Sequence, residues 1–389
     1  MVSFSNTKAA FRHKSNSELR KSYWLFKLVS NNVLVEAGGK LLQLALAVRF
    51  PVKTLLKNNI FKQFCGGESI DDCNATISML RNYDIGSILD YSVEGKEREE
   101  EFDNCFNETL KTIKLAKGNS NIPFCVFKVT GLIRSKLLEK LATQTTLTES
   151  EVIEWKKAYK RVYILCRTAK ENSVQIFIDA EESWIQDAID DVVTRMMVLF
   201  NKQNAIVFNT MQLYRIDRLA FIQDAIKKAK NGNYKIGFKL VRGAYMEQEN
   251  LRADKQGYPS PIHSSKNNCD KDYNQAIKIC IENIDHVSFC VATHNEESTM
   301  LLANLMQQHS ISNNDPRIYL AQLYGMSNHI SFNAALLNYN VAKYVPYGPV
   351  NEVIPYLIRR AQENTFIDGQ AGRELSLITQ EINRRKASK

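Results

Sequence analysis

Residues 356–363 read YLIRRAQE, and at 3.6 residues per turn Tyr356, Arg359, Arg360 and Glu363 fall on one face of a helix. Two guanidiniums on one face suit a small carboxylate, because each planar fork can donate two parallel hydrogen bonds to it. The plainer alternative is an exposed helix with Arg359 and Glu363 paired four residues apart. A second group of polar residues closes apolar runs: Asp90, Lys128, Asp179, the stretch 239–245 (KLVRGAY), Thr293 with His294, and Tyr344. Any one of these alone reads as a solvated or loop-capping residue. Their coincidence at the ends of successive runs is what would make a site.

Other chemistries leave little trace. His294 could be a metal ligand, a general base or a hydrogen-bond donor, but the remaining five histidines have no ligand spacing, so no metal is expected. No G-x-S-x-G elbow occurs and no cysteine is placed with a partner histidine, which speaks against nucleophilic catalysis. A P-loop is absent and no G-x-G-x-x-G follows a strand, which disfavours a Rossmann domain; a flavin held by a barrel would leave no such fingerprint. The eight cysteines lack C-x-x-C spacing and read as buried free thiols in a reducing compartment.

The elements that must position these residues follow from the periodicity. Residues 1–80 show helical spacing without strand signals (Leu19, Tyr23, Phe26; Leu41, Leu44, Ala45, Val48), a helical lead-in. From 81 to 389 short apolar runs alternate with amphipathic segments, the pattern of repeated β/α units. Strands are predicted at 85–91, 123–129, 174–179, 205–210, 236–241, 287–292, 317–323 and 341–345, with helices such as 149–171 and 213–230 between them. Eight is the number of a (β/α)8 barrel, whose active site lies at the C-terminal ends of its strands; an open doubly wound sheet is the alternative.

Hydrophobic residues make up 44% and charged residues 24% of the 389, close to soluble globular proteins, so neither disorder nor a membrane class is indicated. The net charge of +9 could attract nucleic acid, anionic lipid or acidic substrates, and its even spread selects none of them. No secretory signal is expected at the start. Residues 33–48 (VLVEAGGKLLQLALAV) are too short and too polar to span a bilayer and read as an amphipathic or core helix.

At 239–245 (KLVRGAY), 292–295 (ATHN), 177–183 (FIDAEES) and above all 343–363 (KYVPYGPVNEVIPYLIRRAQE), the sequence resembles the proline dehydrogenase family, over about 64 (FCGGES) to 364. The resemblance implies a distorted (β/α)8 TIM-type barrel that holds FAD non-covalently, with an N-terminal helical extension and the last helix lying over the strand C-termini. By the same resemblance, Lys128, Arg359 and Arg360 bind the substrate carboxylate, Tyr245, Leu323, Tyr344 and Tyr356 wall the pocket, and Glu94 gates it by pairing with Arg359. Asp179 orients Lys128 and adjoins the flavin together with Ala180, Gln212 reaches the pyrimidine edge, and Lys239 sits near N5. Val241, Arg242, Gly243, Ala244, Thr293, His294 and Glu363 hold the rest of FAD. Position 239 is Lys where many bacterial members carry Arg, and 260–270 (SPIHSSKNNCD) departs from the family, leaving Lys266 as the adenosine-side candidate.

The implied reaction is oxidation of L-proline to Δ1-pyrroline-5-carboxylate. Electrons pass to a membrane quinone, and the product passes to a separate pyrroline-5-carboxylate dehydrogenase. The implied location is peripheral, on the cytoplasmic face of a bacterial inner membrane or the mitochondrial matrix face, with no nucleic-acid partner. Hydroxyproline oxidation is the nearest rival, opposed by the bulk of Tyr344. A non-catalytic basic barrel acting as a binding module is the rival from another class.

Overall fold

The computed structural model describes residues 3–29, 60–92, 96–354, 356–357 and 370–388. The helix read at 33–48 lies outside them, as do Glu94, Arg359, Arg360 and Glu363.

Eight strands close a barrel in chain order: β1 (Ile85–Tyr91), β2 (Phe124–Lys128), β3 (Gln175–Asp179), β4 (Val207–Gln212), β5 (Ile236–Val241), β6 (Val287–Ala292), β7 (Ile318–Leu323) and β8 (Val341–Tyr347). This is the (β/α)8 TIM-type architecture, and the open-sheet alternative falls. Strands β1, β5 and β6 have the bounds read from the sequence. Two others run on. The sequence places the end of β8 at Val345, one residue before Pro346, a residue that cannot donate to a ladder. The structure continues to Tyr347: Pro346 stands opposite Asp90 in the β1 register, and its carbonyl accepts from Gly66 N at 2.8 Å. Strand β4 continues past Thr210 to Gln212, which stands opposite Val241.

The helix Glu149–Glu171 has the predicted bounds and begins on a reciprocal cap between Thr148 and Glu151. The helix read from 213 begins only at Arg218. Leu213 N and Tyr214 N donate to the carbonyls of Val241 and Arg242 at 2.8 and 2.7 Å, so these residues extend alongside β5 before the chain can coil.

By compactness the chain divides into two units, Glu94–Ala321 and Met1–Val93 with Gln322–Lys389. In the first, Phe124 of β2 stacks on Phe177 of β3 with centroids 4.2 Å apart and meets Tyr319 of β7 edge-on at 4.9 Å. Strands β2 and β7 are not neighbours, so these rings must face the barrel interior, where with Phe208 they form an aromatic floor.

In the second unit the helix Asn16–Val29 packs against Gln370–Ala387. Around them a core gathers Phe11, Leu19, Phe26, Phe64, Val353, Tyr356 and Leu377. Arg385 ties the two ends of the chain together by donating to the carbonyls of Lys14 and Phe11, both at 2.9 Å. The helix carrying Tyr356 is therefore not the last in the chain; Gln370–Ala387 follows it. All eight cysteines are buried free thiols, as read from their spacing.

Candidate active site

In the unit Glu94–Ala321 a buried polar cluster lies toward the C-terminal ends of β3, β4 and β5. Lys128 and Asp179 are Cα partners at the last positions of β2 and β3, and Thr210 faces Lys239 across β4 and β5. Lys239 Nζ donates to Asp179 Oδ1 at 2.6 Å, and both side chains are buried. Thr210 Oγ1 adds a bond of 3.3 Å to the same oxygen. The Lys239 ammonium also lies 5.4 Å from the Phe177 centroid, on the aromatic floor. A buried ion pair of this kind holds its cation in one place, because either partner alone would bear an uncompensated desolvation cost.

Two features fit a bound planar heterocycle. Gln212, 3% exposed, keeps a buried Oε1 with no hydrogen-bond partner; an acceptor left so needs a donor from something else. Gly243 has φ +137°, and a Cβ there would stand 2.4 Å from the Tyr214 ring. Only glycine lets the chain turn in this way, bringing main-chain groups of 241–244 close to whatever they cradle. The groups present therefore suit a flavin: an acceptor amide oxygen without a partner, a fixed ammonium and a glycine-lined turn.

Arg242, which the resemblance gives to the FAD-holding turn, has a fixed side chain. Nε donates to Asp270 Oδ1 at 2.7 Å, Nη1 to Thr293 Oγ1 at 2.6 Å and Nη2 to Ser298 Oγ at 3.0 Å. Its guanidinium covers the Tyr273 ring at 4.3 Å. Thr293 in turn accepts from Asn295 N at 3.1 Å, one residue beyond the half-buried His294. Lys266 donates to Asp270 at 2.6 Å, so this arginine brings together the 239–245, 260–270 and 292–295 segments. Ala180 and Tyr245 are buried, and Val241 and Ala244 are half-buried.

One residue of this unit had no assigned role. Glu181, inside FIDAEES, accepts from Thr130 N at 3.0 Å and from Thr130 Oγ1. Burial pushes its carboxyl up to about 7, against the opposing pull of the Lys128 charge and the Thr130 bonds. It therefore pins the residues after Lys128. The signal in the sequence is two successive carboxylates, Glu181 and Glu182, one residue beyond the strand-ending Asp179.

In the other unit, Tyr344 and Tyr356 are 8% and 6% exposed, and Leu323 packs partly buried on the same core as Tyr356. Tyr344 lies within β8 rather than at its end, opposite Ile88, and its carbonyl accepts from Tyr324 N at 2.8 Å. Asp90 is buried and accepts from Ser92 Oγ at 2.5 Å.

A family model described as proline dehydrogenase matches residues 73–373. "Proline dehydrogenase 1, mitochondrial" of Dictyostelium discoideum is 30% identical over 98% of this chain and 74% of its own length. "Carbapenem antibiotics biosynthesis protein CarD" of Pectobacterium carotovorum subsp. carotovorum is 32% identical over 83% of each. The crystal structure of proline utilization A (PutA) from Bdellovibrio bacteriovorus inactivated by N-propargylglycine matches with a TM-score of 0.72 at 20% identity. It covers 92% of this chain but only 38% of its own, and this likeness shows the fold alone.

Proposed function

This chain belongs to the proline dehydrogenase family and is an oxidoreductase acting on proline, and we propose that it oxidises L-proline to Δ1-pyrroline-5-carboxylate with a non-covalent FAD in the cradle of β3, β4 and β5. The observation that carries the reading is the buried Lys239–Asp179 pair beside the unpartnered Gln212 oxygen.

FAD, when bound, supplies the two-electron acceptor for hydride. Lys239 places a fixed positive charge in the cradle, where negative charge would build as electrons arrive, and Asp179 keeps that ammonium from wandering. Gln212, Ala180, the 241–244 turn, Thr293, His294 and, by resemblance, Glu363 would hold the group. Lys128, Arg359 and Arg360 would take the carboxylate of proline, with Glu94 as the gate on Arg359. Hydride leaves carbon only when the neighbouring amine is neutral, and cations grouped about the substrate favour loss of its ammonium proton. Tyr245, Leu323, Tyr344 and Tyr356 would exclude water from the ring. We read 1–80 as a helical lead-in to the 81–389 barrel.

Electrons would pass to a membrane quinone and the product to a separate pyrroline-5-carboxylate dehydrogenase. Contact with the quinone pool would be peripheral, on a mitochondrial matrix or bacterial cytoplasmic face; no helix among the described residues is long and apolar enough to cross a membrane. The purified protein should be yellow, and anaerobic L-proline should bleach its flavin absorbance faster than trans-4-hydroxyproline does. A colourless protein that takes up no FAD refutes the reading; equal or faster bleaching by hydroxyproline replaces the substrate.

A further inference from the structure

The turn that leaves β7 is held by side chains from far along the chain. Met326 N closes it on Leu323 O at 3.2 Å, and Gly325 takes φ +80°. A Cβ at Gly325 would stand 2.1 Å from Gln63 O, so the turn lies flat against that segment. Gln63 Nε2 donates to Gly325 O at 2.9 Å. Lys343, 1% exposed, reaches out of β8 and donates to Met326 O at 2.5 Å and to Leu323 O at 3.4 Å. Glu374, 2% exposed and on the C-terminal helix, accepts from Ser327 N, the next amide along. Tyr344 O takes the amide of Tyr324.

A buried ammonium is costly unless its protons are bonded and a counter-charge lies near. Both conditions are met here by structure that serves the turn: two main-chain carbonyls and the Glu374 carboxylate, whose charge acts directly on Lys343. Burial nevertheless drives the Lys343 ammonium down to about 7. A methionine would fill the same space without that cost, so the geometry indicates a role beyond packing. The residue next to Lys343 is Tyr344, and the turn it grips begins at Leu323; both are walls in the reading above.

We propose that Lys343 and Glu374 are positioning residues for the proline pocket: together they clamp the β7 turn so that Leu323 and Tyr344 keep fixed places, which makes the C-terminal helix part of the substrate-binding apparatus. The inference rests on the reading of Leu323 and Tyr344 as pocket walls. Neither Lys343 nor Glu374 touches substrate in it. A wall displaced by a fraction of an ångström loosens ground-state contacts with the ring, so the loss falls on KM more than on kcat.

The test uses the full FAD-loaded protein and compares Lys343→Met, Glu374→Gln and Leu323→Ala, reading proline KM, kcat, flavin content and amide exchange. Lys343→Met should raise the proline KM by roughly tenfold with kcat within about twofold, leave flavin content unchanged, and speed exchange at 324–327 without changing it in β3. Glu374→Gln, which keeps the shape and removes the charge, should move KM and exchange the same way by less, and it decides the matter if Lys343→Met does not fold. A raised KM in Leu323→Ala with unchanged KM and exchange in the other two overturns the clamp and leaves the pocket reading intact. An unchanged KM in Leu323→Ala overturns the pocket reading and the clamp with it.

Discussion

The two units treat buried positive charge in opposite ways. In Glu94–Ala321 the buried cations meet carboxylates directly: Lys239 with Asp179 at 2.6 Å, and Arg218 with Asp190 at 2.8 Å. In the unit formed by the chain's two ends, the buried Lys343 binds main-chain carbonyls and the half-buried Lys14 binds Ser22 Oγ at 2.6 Å and Gln63 Oε1 at 3.2 Å, although the half-buried Arg385 does meet Glu381 directly. Burial lowers both ammoniums, to about 7 and about 8, with Glu374 opposing the shift in each. A contact ion pair fixes one atom against another. An ammonium bonded to carbonyls fixes a stretch of main chain and remains close to losing its proton. The first arrangement suits a charge that must stay beside an electron acceptor, the second a turn that must keep its shape.

The largest expected effect breaks the first arrangement. Asp179→Asn leaves Lys239 buried without its counter-charge, and unfolding by denaturant should show a loss of about 3–5 kcal/mol, together with poor flavin retention. A loss under ~1 kcal/mol would mean that the pair is not the keystone of its unit.

A smaller effect sharpens the contrast through pH. Lys343 falls from 10.5 in the unfolded chain to about 7 when folded. Between those values the unfolded chain binds the extra proton, so stability should rise with pH across that window. Glu181 rises from 4.5 to about 7. There the folded chain binds the extra proton, so its contribution falls as pH climbs from 4.5 to 7. Lys343→Met should flatten the alkaline slope and Glu181→Gln the acid one, each leaving the other in place. Exchanged or unaltered slopes would remove the distinction between the units.

The smallest effect is a control: Arg195, paired with Asp191 at 3.0 Å on an exposed helix face, should give no measurable shift in unfolding midpoint when changed to Ala.

The barrel was legible because its strands are short apolar runs bounded by polar turns, and β1, β5 and β6 needed nothing else. The misplaced ends have local causes: Pro346 hid the last residues of β8, and the pairing of 213–214 with β5 delayed a helix whose residue types suited an earlier start. Strand-end residues such as Lys128 and Asp179 could be read because polarity after an apolar run is visible in one dimension, whereas Lys239 lies inside β5. Lys343 could not. Alternation in KYVPYGP gives a lysine the look of a solvated position, and what buries it includes a helix some thirty residues further on. Glu181 was hidden differently, as the less conspicuous of two neighbouring carboxylates whose partner, Thr130, lies on another strand's loop.

The eight thiols have a consequence for durability. Peroxide attacks the thiolate, and burial raises Cys73, Cys125 and Cys290 to about 12 and Cys269 to about 11. Cys290 stands opposite Lys239 in the β5–β6 register, where a cation would normally sharpen a thiol's reactivity, yet burial outweighs it. An oxidant reaching the barrel would thus meet these four sulfurs held in the less reactive thiol form.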